Sequence, residues 1–367
     1  MTTVFPALFP SLRLSILPGR ADDMRAEILL RIDGCGTDGD GGPLRVAGTL
    51  VGPRRGRDMT LPTTVKLVDL TTDHAVRDRP APAVAPADTA FARADIVSGR
   101  ADTAFARAVF TEPAYWTPEL PNLYRLQADV SRGDQTVAVI DLLIGLRRLG
   151  RRGRSFWLDG RRWVPRGIAA SAAEFDGPLL RSLSAAAVID DPSGQVCAAA
   201  DTAGVAIIAQ LLDASGRALP PAEAIERIAA CSLHPSVVLA VVPRSLPADQ
   251  TVATIAAARP LKGTMLIGLE VDGRQPPDLV PEAMVAAFEC LVVTLPDNGL
   301  PHEAWRSWPA DMPLVVRRAV APQTAAEHRR ECDRLQAALA AWGLADGASQ
   351  LPRDWAGFLS VSWQPSP

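Results

Sequence analysis

Apolar and polar residues alternate along several short segments in the first 144 residues of the chain. Glycine-rich, polar stretches such as 33–42 separate these segments. An alternation of period two is typical of half-buried strands, and short strands at this spacing predict an immunoglobulin-like β-sandwich. The predicted strands lie at 12–16, 26–32, 44–51, 64–68, 123–130 and 136–144.

From about residue 154 the pattern changes to short apolar runs that alternate with segments of helical period. Eight strands and intervening helices over roughly 210 residues predict a small (β/α)8 barrel. A doubly wound open sheet is the alternative, but no glycine-rich fingerprint follows the first strand. We therefore expect a sandwich over 1–150 and a barrel over 151–367. The predicted strands are 163–168, 186–190, 205–209, 237–242, 265–270, 291–295, 314–317 and 358–361, and the predicted helices are 178–185, 196–203, 221–231, 249–258, 281–288 and 325–342.

Composition excludes several classes of protein. Hydrophobic residues make up 48% of the chain and charged residues 22%, which is typical of a folded globular protein. The net charge of −3 argues against a general nucleic-acid binder, which is normally basic. No apolar run reaches the ~18 residues of a spanning helix. The apolar segment 1–18 is interrupted by Pro6 and Pro10 and has no basic residues before it, so we expect no secretory signal.

Cysteine and histidine usage indicates neither a metal site nor a cofactor. The five cysteines are odd in number and form no C-x-x-C pair, which is typical of free thiols in a reducing compartment. The four histidines are not spaced as metal ligands. Since no secretory signal is expected either, this pattern predicts a cytoplasmic protein without a metal or cofactor.

Four segments resemble glycoside hydrolase family 2, in the order in which that family carries them. EPAYWTPELPNLY at 112–124 resembles the "W-x-P-x-x-P-x-L-Y" segment of its immunoglobulin-like domain. IGLRR at 144–148 followed by FWLDGRRWVPRG at 156–167 is similar to its "G-F-R" strand and the start of its barrel. ADTAGV at 200–205 and HPSVV at 234–238 resemble the segments before its third and fourth barrel strands. The resemblance implies the same two-domain fold.

The resemblance fails where the family carries its catalytic glutamates. The family's acid/base glutamate follows strand four, where this chain has Arg244 and, at the expected position, Ser245. Its nucleophile ends strand seven, where this chain has Arg317 and, at the expected position, Arg318. Retaining glycoside hydrolysis needs two carboxyl groups about 5–5.5 Å apart. Arginine stays charged and has no basic lone pair, so it replaces neither group. We therefore expect the family's chemistry to be lost.

Other side chains are expected at the barrel mouth, where barrel enzymes place their active sites. Glu270 with Asp190 or Asp297 is a candidate relocated acid/base pair. The alternative is that these carboxylates form ion pairs with arginines of the mouth. Trp363 is a candidate for stacking on a sugar ring, or alternatively a core residue.

A cluster of arginines lies at the predicted junction of the two domains. It is either a solvated hairpin or a contact for an acidic partner or anionic lipid head groups. The apolar segment 3–18 is a second candidate surface, as an edge strand or an arm that docks on another subunit. The cluster consists of Arg147, Arg148, Arg151, Arg152, Arg154, Arg161, Arg162 and Arg166, with Asp159 as the one acidic residue among them.

These observations favour a catalytically inactive relative of the family, a pseudoenzyme that serves as a binding or scaffold subunit. We expect protein partners in a larger assembly, with any membrane attachment made through those partners, and no nucleic acid. A divergent glycosidase with relocated carboxylates and a carbohydrate-binding module are the alternatives, because a fold alone does not determine function.

Overall fold

The computed structural model describes residues 12–34, 43–56, 58–70, 103–213, 215–245, 247–296, 299–321, 323–344 and 354–362. The chain divides into two compact units. The first comprises Met1–Arg147 with two short segments, Ala229–Pro235 and Arg259–Thr264. The second comprises Arg148–Ile228, Ser236–Ala258 and Met265–Pro367.

The described residues of the first unit form two antiparallel four-stranded sheets, as the alternating pattern predicted. Their strand orders are β1-β2-β6-β5 and β4-β3-β7-β8. The inward side chains of both sheets share one apolar core, to which Leu30, Leu50, Phe110 and Leu126 contribute. The strands are β1 Leu12–Ala21, β2 Arg25–Gly34, β3 Leu44–Arg55, β4 Asp58–Lys66, β5 Val68–Asp69, β6 Thr103–Thr111, β7 Leu123–Arg132 and β8 Gln135–Ile144.

The family-like segment 112–124 is structural in this unit. The N–H of Ala114 donates to the Tyr124 hydroxyl (3.0 Å), and the Tyr115 hydroxyl donates to the Asp22 carbonyl (2.6 Å). Asn122 Nδ2 donates to the Tyr115 carbonyl (2.9 Å), and Trp116 is completely buried. Because buried polar groups need partners, these residues fix the path of the chain before β7.

In the second unit, the described residues close eight parallel strands into a barrel, which confirms the predicted fold class. The strands are β12 Arg166–Ala169, β13 Ala186–Asp190, β14 Ile207–Gln210, β15 Val237–Val242, β16 Leu266–Asp272, β17 Cys290–Leu295, β18 Leu314–Val320 and β19 Gly357–Ser362. The helices between them are α1 Gly177–Ser182, α2 Gly194–Ala203, α3 Pro221–Ser232, α4 Ala248–Ala258, α5 Glu282–Ala287 and α6 Ala325–Leu344.

Several bounds differ from the predicted ones, and Thr103–Thr111, Leu149–Arg152 and Ser155–Leu158 are strands where none was predicted. Two of the differences have a local cause. The predicted strand 163–168 is divided, and Val164 and Pro165 separate a short strand from β12. Proline lacks the N–H that a continuous ladder requires, which explains the break. Strand β18 continues to Val320 instead of ending at Arg317, because Arg318–Val320 still pair with β19.

The motif-like segments 200–205 and 234–238 meet behind the barrel strands. The buried Asp201 accepts a hydrogen bond from the Ser236 N–H (2.8 Å), and Ser236 Oγ donates to the Cys197 carbonyl (3.2 Å). Gly204 ends α2 with a φ of 71°, a conformation that glycine adopts readily. These residues join α2 to the start of β15 and lie away from the carboxyl ends of the strands.

A small antiparallel sheet covers the amino-terminal end of the barrel. It contains β9 Leu149–Arg152, β10 Ser155–Leu158 and β11 Arg161–Trp163 in the order β11-β10-β9. Phe156, with Leu149 and Trp163, packs against barrel residues such as Ala186 and Cys290 at the first positions of their strands. One face of the sheet therefore completes the barrel core.

Candidate functional site at the barrel mouth

The carboxyl ends of the barrel strands carry polar side chains that line two cavities. Inward-facing positions alternate along each strand, so the apolar interior gives way to polar residues at the mouth, five of which hydrogen-bond to one another in two groups. These residues are Asp190 on β13, Gln210 on β14, Glu270 on β16, Thr294 on β17 and Arg317 on β18.

Arg317 and Glu270 form an ion pair across the mouth. Arg317 Nη1 donates to Glu270 Oε1 at 2.9 Å, and Thr294 Oγ1 donates to the same oxygen at 2.8 Å. Both charged side chains are largely withdrawn from solvent, with 17% and 18% of their surfaces exposed. Within the described residues, Arg317 Nε has no hydrogen-bond partner. The pair is therefore a held, charge-neutral unit in which one oxygen of Glu270 already accepts two hydrogen bonds.

Asp190 is a second carboxyl of the mouth, at the end of β13. Gln210 Nε2 donates to Asp190 Oδ1 at 2.5 Å. Burial raises the pKa of Asp190, although the charge of Arg317 and the Gln210 hydrogen bond partly oppose this effect. The side chain is exposed to the larger cavity, where it can accept a hydrogen bond from a polar ligand.

Asp272 forms a second ionic group nearer the rim. Arg274 Nη2 lies 2.9 Å and Arg244 Nη1 3.0 Å from Asp272 Oδ2. The Arg274 hydrogen bond is the main cause that holds the pKa of Asp272 well below its usual range. Asp272 therefore remains ionised at neutral pH and is unsuited to acid catalysis.

The two cavities give the mouth room for a small polar ligand. The larger, about 1110 Å³, is lined by Asp190, Gln210 and Arg317 among others. The smaller, about 560 Å³, is lined by residues that include Glu270, Asp272 and Arg244. Both volumes are within or near the range of small-molecule sites.

The structure places the two predicted catalytic positions differently. Arg244 and Ser245 lie in the exposed turn after β15, with no carboxylate at either position. Arg317 faces the cavity, but Arg318 does not. Consecutive strand residues point to opposite faces, so Arg318 lies against α6, where its Nη1 donates to Glu331 Oε1 at 3.0 Å. Arg317 is therefore the β18 residue that occupies the mouth.

Two predicted mouth residues, Asp297 and Trp363, lie outside the described residues. The sequence analysis did not single out Thr294, whose hydroxyl holds Glu270, or His328 of α6, which lines the larger cavity. His328 Nδ1 lies 2.8 Å from Ser360 Oγ, and burial lowers the pKa of His328. The alternation of side chains along the predicted strand 291–295 could have identified Thr294 as an inward-facing residue. No local pattern in the sequence indicated that His328 lines the cavity.

No group of three or more potential metal ligands occurs within the described part of the chain. Two buried thiols of this part, Cys290 and Cys332, are also poor nucleophiles. Burial raises the pKa of Cys332 to about 12, and it also raises the pKa of Cys290. Since the thiolate is the reactive form, neither cysteine is suited to covalent catalysis.

The arginine cluster is divided between distinct environments. Arg147 is buried, donating to the Pro235 carbonyl (2.5 Å) and to Thr264 Oγ1 (2.9 Å), so it is not part of an exposed patch. Arg148 pairs with Asp159 at 2.5 Å. Arg166 pairs with Asp333 at 3.1 Å. The remaining five are exposed on the small sheet and its turns, and we call them the arginine face: Arg151, Arg152, Arg154, Arg161 and Arg162.

Comparisons with known proteins agree with this architecture. Residues 59–147 match the family model described as glycosyl hydrolases family 2. A search of curated protein sequences finds no match.

Solved structures share the fold at low sequence identity. A glycosyl hydrolase family 2 member from Bacteroides cellulosilyticus superposes with a TM-score of 0.58 at 12% identity, covering 95% of this chain and 45% of that one. A β-glucuronidase from Bifidobacterium dentium, complexed with coumarin-3-O-glucuronide, gives 0.57 at 12% identity, covering 95% and 60%. The β-D-glucuronidase of Dictyoglomus thermophilum gives 0.55 at 13%, covering 95% and 61%.

The chain thus spans between about half and three fifths of the length of these three proteins. The matched segment contains the "W-x-P-x-x-P-x-L-Y"-like residues 112–124. Identities of this size establish the fold and not the activity. The resemblance to glycoside hydrolase family 2 is confirmed by the matched segment 59–147, and the chain has that family's fold of a sandwich followed by a parallel barrel.

Proposed function

We propose that this chain is a glycoside-hydrolase-like protein that does not hydrolyse glycosides and serves as a binding or scaffold subunit. The observation that carries the proposal is Arg317. It occupies the inward position of β18 at the mouth and is paired with Glu270, the nearest candidate for a relocated catalytic carboxylate.

The contacts of the mouth carboxylates support the absence of hydrolysis in this proposal. A nucleophile needs a carboxylate oxygen free to attack, and an acid/base needs a second carboxyl about 5–5.5 Å away. Glu270 Oε1 is engaged by Arg317 and Thr294. Asp190 is bound to Gln210, and Asp272 is bound to two arginines. These carboxylates are thus held in ion pairs or hydrogen bonds, as in the salt-bridge alternative considered from sequence.

A panel of aryl glycosides, including glucuronides and galactosides, tests the absence of hydrolysis. The wild-type protein is compared with Glu270→Gln and Asp190→Asn, and an active family 2 β-glucuronidase serves as the positive control. We expect no turnover above the uncatalysed rate for any form. Saturable hydrolysis by the wild type that Glu270→Gln abolishes would establish the divergent-glycosidase alternative instead.

The scaffold role is tested by the native mass of the endogenous protein. A gentle, detergent-containing lysate is fractionated by size, and companions are identified by mass spectrometry. We expect elution well above 39.0 kDa with companions in fixed ratio. Elution as a monomer would remove support for a subunit role. In that case ligand binding at the barrel mouth would be the function to test next.

Carbohydrate binding without hydrolysis is a second candidate, favoured by the larger cavity. Asp190, Gln210 and Arg317 present both donors and acceptors there, which suits hydroxyl groups of a sugar. Saturation-transfer NMR with mono- and oligosaccharides tests this candidate. Binding that Gln210→Ala weakens and that exposed Gln127→Ala leaves unchanged would support it, whereas an absence of transfer at millimolar sugar would exclude it.

A further inference from the structure

The arginine face lies at the end of the barrel opposite the mouth. Cross-strand pairs place Arg152 opposite Ser155 and Trp157 opposite Arg162, so these residues share one side of the small sheet. The other side carries Phe156 and is buried against the barrel core. The outer side is therefore cationic through Arg152 and Arg162. By the same register Arg151, opposite Phe156, and Arg161, opposite Leu158, belong to the Phe156 side, although both are exposed.

Most of the charge on the arginine face is not neutralised by the described residues. Arg162 pairs with Asp354 at 3.1 Å, but the side chain of Asp354 is 69% exposed, so water and salt screen this pair. Arg152, Arg154 and Arg161 form neither a hydrogen bond nor an ion pair within the described part of the chain. The Arg152 guanidinium stacks over the Trp157 ring at 4.4 Å, which orients it while its N–H groups remain available.

The chain as a whole carries a net charge of −3. Because five exposed arginines are concentrated on one small sheet, the electrostatic potential there is positive, opposite in sign to the net charge. The outer side of the sheet presents the guanidinium groups of Arg152 and Arg162, and the turn between β9 and β10 adds that of Arg154. Neither cavity of the barrel mouth includes a residue of this sheet. The outer side and the turn at Arg154 form a cationic surface outside both cavities, which suits a planar array of anions better than one extended peptide, which is usually bound in a groove or along a strand edge.

We propose that the arginine face binds the surface of anionic phospholipid membranes. Guanidinium groups form paired hydrogen bonds with phosphate oxygens, and each basic residue held near an anionic leaflet strengthens binding by about fivefold. The association is peripheral and reversible. No described helix has the length and apolar character needed to cross a bilayer. Binding through this face leaves the barrel mouth directed away from the lipid. The proposal does not depend on whether the mouth is catalytic.

Vesicle co-sedimentation in 0.1 M salt tests the proposal. The purified full chain is mixed with phosphatidylcholine vesicles or with vesicles containing 30% phosphatidylserine. The test variant is the triple substitution Arg152→Gln, Arg154→Gln and Arg162→Gln. The matched control removes three exposed arginines elsewhere and has the same net charge: Arg45→Gln, Arg107→Gln and Arg330→Gln.

The wild type and the control are expected to bind phosphatidylserine vesicles and not pure phosphatidylcholine. Removal of three arginines from the face lowers the partition coefficient on the order of 100-fold. Raising the salt to 1 M, where the Debye length is about 3 Å, releases the protein. Circular dichroism confirms that each variant is folded.

Equal loss of binding in both triple variants would show that net charge alone governs the association and would overturn the proposal. It would equally be overturned if the wild type ignores phosphatidylserine vesicles. Binding of the face to poly-glutamate but not to vesicles would assign an acidic protein partner instead. The aryl-glycoside panel tests hydrolysis at the barrel mouth independently of membrane binding. Failure of the membrane proposal is therefore distinguishable from failure of the proposed function.

Discussion

The buried ion pair between β18 and α6 permits a quantitative test of the barrel's architecture. Arg318 Nη1 donates to Glu331 Oε1 at 3.0 Å, and Arg318 Nη2 donates to the Gly299 carbonyl at 2.8 Å. The two charged side chains are 7% and 11% exposed. The perturbation is Arg318→Met, which keeps the length of the side chain and removes its charge.

Removing one partner of a buried pair is costly because the other charge remains without compensation. Such changes destabilise proteins by about 3–5 kcal/mol. Glu331 would retain only the mostly exposed Arg334, whose Nη1 lies 3.4 Å from Oε2. At about 2–4 °C per kcal/mol for a unit of this size, the melting temperature falls by roughly 10 °C. The double variant with Glu331→Met removes both charges, and we expect it to recover most of the loss.

Urea unfolding followed by circular dichroism measures this cycle, with Arg330→Met on the exposed side of α6 as the control. We expect the control to lie within about 0.5 kcal/mol of the wild type. The reasoning is refuted if Arg318→Met costs less than about 1 kcal/mol, or if the double variant loses the sum of the two single losses. Either result would mean that Arg318 is not held in a desolvated pair.

Three further predictions concern the barrel core, the mouth and a buried thiol. Gly167→Ala should destabilise by about 1–3 kcal/mol, because a Cβ there would lie 2.5 Å from Leu359 Cδ2, whereas Gly150→Ala, with open space around it, should be neutral in the same urea titration. Burial raises the pKa of Asp190, so its ionised form opposes folding above that pKa. Asp190→Asn should therefore raise the melting temperature at pH 7. Calorimetry should show that this advantage is lost below about pH 4, where the carboxyl is protonated in the folded and the unfolded protein. Cys332 should resist Ellman's reagent until urea unfolds the barrel, and rapid labelling of Cys332 in native protein, located by peptide mapping, would contradict its burial.

Much of the fold could be predicted because each strand and helix carries its own local signal. The runs that became β13 and β15 were predicted with the observed bounds, since continuous apolar segments are typical of strands covered on both sides. The break between β11 and β12 was missed, although Pro165 was visible in the sequence. A short apolar run gives no indication of which sheet it joins.

The candidate site could be predicted only in part. Asp190, Glu270 and Arg317 were identified because they directly follow apolar runs, which places them at strand ends. Their pairing was not predictable, since Arg317 of β18 reaches Glu270 of β16 past β17, and only the register of these three strands brings the two side chains together. The assignment of the family position to Arg318 rather than Arg317 shows the same limit. One residue of register decides whether a side chain faces the mouth or α6.

The sequence by itself determined the order of the strands and helices, the family resemblance and the absence of glutamates at the expected catalytic positions. These properties depend on residues close together in the chain. Only the tertiary structure decided that Arg317 holds Glu270 and that Arg147 is buried while Arg152 and Arg154 are exposed. Contacts between residues distant in sequence and the burial of each charge arise only when the barrel closes, because hydrogen bonding and desolvation depend on three-dimensional neighbours.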